Sequence, residues 1–115
     1  MGDRANVFVK EDTSGEGVFL YTHWGGRDLP KLVQEVLSLR ERWSDPSYLA
    51  RMIFSRMIKG EESGTTGYGI SQKVGDGEDR VIKVDTVKQE VTIGGKTWGF
   101  EKFLKVQSPE WREGG

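Results

Sequence analysis

The chain reads as an α+β domain: a mainly antiparallel sheet, formed by an N-terminal hairpin plus C-terminal strands, packed on two central helices, with a short C-terminal helix. Three observations predict this. Apolar residues alternate with a period of two near both ends of the chain, and they follow helical spacing only in the middle. The strand-like segments are joined by short Gly- and Asp-rich stretches of the hairpin kind. Strands and helices are therefore segregated, which favours an antiparallel sheet with helices on one face.

The first strand is Ala5, Val7 and Val9 alternating with Asn6, Phe8 and Lys10. Residues 11–17 form a polar turn, and Val18 to Thr22 return as a second strand rich in β-branched and aromatic side chains. His23 falls on the face of Phe19 and Tyr21. Asp28 and Pro30 open a helix, because proline fits the first turn, where the N–H has no partner. Leu29, Leu32, Val33, Val36, Leu37 and Arg40 carry its stripe, and Trp43 plugs the corner that follows.

Asp45-Pro46 is the clearest local signal: Asp45 caps the free amides of a second helix and Pro46 takes its first position. Leu49, Met52, Ile53, Arg56 and Met57 share a face that Phe54 and Ile58 widen, which predicts a largely buried helix in which Arg56 needs a carboxylate or a path to water. Gly60 stops it. Glu61 to Thr66 is a polar loop and Tyr68 to Ser71 a short strand. Gly75 to Asp79 is a turn, Val81 to Val84 a strand, and Val91 to Ile93 another. Gly94-Gly95 turns the chain tightly into Thr97-Trp98. Phe100, Phe103 and Leu104 fit the terminal helix. Residues 1–106 make one domain, and 107–115 read as a flexible tail.

Composition excludes several function classes. Cysteine is absent, so disulfides, thiolate nucleophiles and Cys-based metal sites are excluded, and a single histidine excludes a multi-histidine metal site within one chain. No cofactor is expected. Basic and acidic residues, 17 and 18, nearly balance, so the chain lacks the basic excess typical of a nucleic-acid binder. There is no signal-peptide-like N-terminus, and no apolar run approaches the roughly 20 residues that cross a bilayer. The expectation is a soluble, cytoplasmic domain.

The leading candidate site is His23-Trp24-Gly25-Gly26, where a strand ends and a helix begins. His23 offers a hydrogen bond or proton transfer, and Trp24 a stacking surface. Gly25 and Gly26 let the backbone approach a ligand or offer amides to an anion near a helix start. The plainer alternative makes the glycines a turn and Trp24 a core residue, and for Trp24 alone this is the simpler reading. Thr65, Thr66 and Tyr68 form a second candidate, with small residues and hydroxyls beside a stacking ring. It matches neither a Walker loop nor a dinucleotide fingerprint. Arg4, beside Asp3 and Asn6, can clamp a phosphate or carboxylate. Asp85 or Asp3 could orient His23 as a general base, although no nucleophile elbow is present.

The segments Met1-Gly2-Asp3-Arg4-Ala5-Asn6, Tyr21 to Gly26, Asp45-Pro46-Ser47-Tyr48-Leu49-Ala50-Arg51 and Gly67-Tyr68-Gly69-Ile70-Ser71 together resemble a group of small uncharacterised phage-borne and bacterial proteins, over about residues 1–105. The resemblance brings no established catalytic residue. By analogy of source, it implies capture of a nucleotide signal made by host defence. The expected function is a small-ligand-binding domain for a nucleotide-like anion, with His23, Trp24, Gly25 and Gly26 facing Thr65, Thr66 and Tyr68, Arg4 nearby, and oligomerisation able to place the site between subunits. The alternatives are a protein-interaction module and a His-dependent hydrolase.

Overall fold

A computed structural model describes residues 2–75 and 79–111. Among these residues the order is β1 (Ala5–Lys10), β2 (Gly17–Thr22), a 3-10 turn (Gly26–Asp28), α1 (Leu29–Leu37), α2 (Pro46–Met57), β3 (Tyr68–Ser71), β4 (Val81–Asp85), β5 (Glu90–Ile93), β6 (Lys96–Gly99) and α3 (Phe100–Phe103). The strands form one sheet in the order β3-β2-β1-β4-β5-β6. All pairings are antiparallel except β1 with β4 at the centre, which is parallel. The α+β architecture expected from the sequence is the one observed.

Register decides which side chains share a face. Val7 lies opposite Leu20 and Ile82, and Val9 opposite Val18 and Val84. Val84 in turn lies opposite Val91. Most of these residues are buried with Leu29, Val33, Val36 and Leu37 of α1 and Leu49, Ile53 and Met57 of α2, so both long helices cover this face. Asn6, Phe8, Phe19 and Tyr21 belong to the other face. The 72–80 connection reaches that second face at Gly75, where Asn6 donates to the Gly75 carbonyl and accepts from its amide at 3.0 Å. Asn6 is thereby fully buried on the face opposite the two long helices. The expected 75–79 turn falls largely on residues 76–78, outside the described residues.

Asp45 caps α2 by accepting from the Tyr48 amide, and Gly60 takes a left-handed φ of 86°. Trp43 packs edge-on against Phe100 and donates to the Leu37 carbonyl, which fixes the corner between helices. Gly94 and Gly95, both at positive φ, close the β5–β6 hairpin.

Two helix expectations change. Arg40 is not helical: its φ is 56°, and its side chain pairs with Glu101 on α3. α2 is one-sided rather than largely buried, because Arg51, Ser55 and Arg56 are exposed and Arg56 reaches Glu35 on α1. Residues 104–111 return along α1, where Gln34 donates to the carbonyls of Phe103 and Val106. Within the segment read as a tail, Pro109 is buried and Trp111 donates to the Gly26 carbonyl at 2.6 Å.

Candidate functional site

The end of the sheet where β1 starts and β2 finishes gathers most of the expected site. Arg4 and His23 extend the β1–β2 register by one pair, and Arg4 donates its Nε–H to His23 Nδ1 at 3.2 Å. The Tyr21 hydroxyl lies at 3.2 Å from the same nitrogen. A guanidinium only donates, so Nδ1 is the acceptor in this contact. Gly2 packs on this ring: a Cβ there would come 2.6 Å from Nε2.

On the other side, the His23 amide donates to the Gly67 carbonyl at 2.8 Å, which joins the loop after β2 to the loop before β3. Trp24 bridges the two. Its ring meets His23 edge-on with centroids 5.6 Å apart, and Tyr68 edge-on at 5.9 Å. Such edge-to-face geometry suits the quadrupoles of both rings. Trp24 is 49% exposed, so it is a surface ring and not the core residue that the simpler reading expected. The Tyr68 hydroxyl donates to Glu61, and burial followed by that carboxylate raises its pKa. Thr65 and Thr66 are exposed on the loop leading into Gly67.

The loop amides have a different role from the expected one. Thr22 Oγ1 accepts from the amides of Trp24 and Gly25, at 3.3 and 3.0 Å. The Asp3 carbonyl accepts from Gly26, and the Asp3 carboxylate accepts from the Arg27 amide at 2.7 Å. The chain's own carboxylate thus sits on the 3-10 turn that leads into α1, close to where an anion was expected. Gly26 is glycine because a Cβ would come 2.6 Å from the Asp3 carbonyl. Arg4 is then the cation of the corner that faces solvent, with most of its N–H donors beyond Nε.

The carboxylates expected to orient His23 are elsewhere. Asp3 binds Arg27 and Arg80. Asp85 lies opposite Lys10, whereas His23 falls opposite Arg4, which separates them along the strands by six residues, about 20 Å. Asp85 instead pairs with Lys10 and accepts from the amides of Val87 and Lys88.

Sequence reasoning missed Gly2, Thr22 and Tyr21 as supports of the corner. Thr22 was open to detection, since a threonine just before a loop commonly binds the amides that follow it. Comparisons with protein-family models, curated proteins and solved structures find no match to this chain.

Proposed function

We propose that the chain is a small-ligand-binding domain for a nucleotide-like anion, and that its site is the corner of His23, Trp24, Tyr68 and Arg4. The observation that carries this reading is the half-exposed Trp24 indole, fixed from three sides by His23, Gly67 and Tyr68 and set close to Arg4 through His23. A ring already held in place loses little entropy when a base stacks on it, and such stacking contributes about 1–3 kcal/mol. Arg4 would hold the phosphate through its planar fork. Gly25 would let the ligand approach the loop closely, with Gly26 serving the packing beneath it. The hydroxyls of Thr65 and Thr66 would border the other side.

A thermal-shift series with mono-, di- and cyclic nucleotides tests this. A ligand that binds only the folded chain stabilises it by about 2.7 kcal/mol at a hundredfold excess over Kd. The shift is expected to vanish in Trp24→Ala and Arg4→Ala variants that still melt cooperatively. No shift with any nucleotide would sink the proposal.

A second reading, a protein-interaction module, draws on one observation. β3 ends the sheet, carries no charged residue, and presents Ile70, 59% exposed, on the same margin as Trp24.

A further inference from the structure

We infer that the cleft between the head of α1 and the C-terminal segment is a second binding site, for a free aromatic amino acid in its zwitterionic form. The cleft encloses about 420 Å³, within the range of roughly 300–1,000 Å³ found for small-molecule sites and near its lower end. Arg27, Asp28, Lys31, Arg80 and the segment from Ser108 to Trp111 line it.

The apolar part of the lining is the half-buried Trp111 ring. Pro109 is buried, and Trp111 is held by its hydrogen bond to Gly26 and by the Arg80 guanidinium, 5.2 Å from the ring centre. Arg80 is itself neutralised by Asp3. The remaining charges are two cations, Arg27 and Lys31, and two carboxylates, Asp28 and Glu110. Among the described residues none of these four forms an ion pair.

That balance selects the ligand. A plain anion attracted by Arg27 and Lys31 would also meet two like charges, and a plain cation would meet the reverse. A molecule carrying both a carboxylate and an ammonium has a partner for each, and its flat side group has the Trp111 ring. The site is distinct from the His23 corner in its lining, which includes none of His23, Trp24, Tyr68 or Arg4, although Arg80 also donates to the Arg4 carbonyl at 3.4 Å.

The test follows the indole N–H signals of Trp24 and Trp111 in the ¹⁵N-labelled full chain, assigned with Trp24→Phe and Trp111→Phe. L-Phenylalanine, phenethylamine and 3-phenylpropionate are titrated at constant ionic strength. L-Phenylalanine is expected to move the Trp111 signal saturably and leave Trp24 in place, with both single-charge analogues weaker by about tenfold or more. An Arg27→Ala/Lys31→Ala variant should lose the response while its remaining spectrum stays unchanged. A Trp111 signal that ignores L-phenylalanine, or that responds equally to either analogue, overturns the inference. The wild-type comparison stands even if the double variant fails to fold.

Discussion

The indole of Trp24 occupies the space where a side chain on residue 67 would be: a Cβ built on Gly67 overlaps the ring. Gly67 also has a φ of 95°, in the left-handed region that disfavours side chains. Gly67→Ala is therefore expected to combine backbone strain with displacement of Trp24 and to cost about 2 kcal/mol or more. Gly15 is the control. Its φ is 94°, but a Cβ there meets nothing within 4 Å, so Gly15→Ala carries the strain alone. Urea unfolding of both variants separates the two effects. Equal losses would mean that Trp24 yields freely and is not fixed by Gly67.

Trp24→Ala should leave the fold in place. The ring is half exposed and has two edge-on aromatic partners, worth about 0.5–1.5 kcal/mol each. The expected loss is about 1–2 kcal/mol, well below the roughly 3–5 kcal/mol of a buried tryptophan. A loss in the core range, read from urea unfolding, would return Trp24 to the core and remove the central element of the proposed site.

The elements were legible wherever one local rule decides. Asp45-Pro46 marks the start of α2 by capping chemistry, and Gly94-Gly95 marks the last hairpin by its need for positive φ. Arg40 shows the limit. It continues the stripe of α1 in spacing, but the chain leaves the helix at Leu37, where Trp43 must fold back to reach its carbonyl. The parallel pairing of β1 with β4 has no sequence signature, because it depends on a connection that crosses from one margin of the sheet to its centre.

The site was legible as a pair of loops and not as a mechanism. Sequence position put His23 and Trp24 at the end of β2 and Tyr68 at the start of β3, and antiparallel pairing then brings them together. It did not show that Thr22 and Asp3 take up the loop amides. That outcome depends on where Asp3, more than twenty residues earlier, falls in register.

Asn6 fastens the crossing connection, so Asn6→Ala should leave the amide and carbonyl of Gly75 without that partner and cost about 1–3 kcal/mol. Gly75 sits so close to Tyr21 that a Cβ there would come 2.8 Å from its ring. Loosening Gly75 should therefore also disturb Tyr21, and through its hydroxyl His23. Hydrogen exchange checks this. The Gly75 amide should lose protection in Asn6→Ala ahead of the amides of β1. Unchanged protection would show that the connection is held by something else.

Asp3 makes stability depend on acidity. The hydrogen bond from Arg80 is the main cause that lowers its pKa; partial burial opposes it, and the Arg27 amide with the charges of both arginines reinforces it. A carboxyl whose folded pKa lies below its unfolded value, about 3.9, stabilises the fold at higher pH and loses that contribution as pH falls through the folded value. Asp85 acts in the same direction. Burial alone would raise its pKa, but the Lys88 amide, the charge of Lys10 and the Val87 amide together outweigh it. The chain should therefore lose stability below about pH 4. Asp3→Asn should be less stable than the wild type at neutral pH and show a shallower decline on acidification, with the residual slope carried in part by Asp85. Urea midpoints for both proteins between about pH 6 and about pH 2 measure this. Parallel curves would mean that the Asp3–Arg80 pair contributes nothing to folding. The anchoring of Arg80 against Trp111 would then have to rest on the indole contact and the bond to the Arg4 carbonyl.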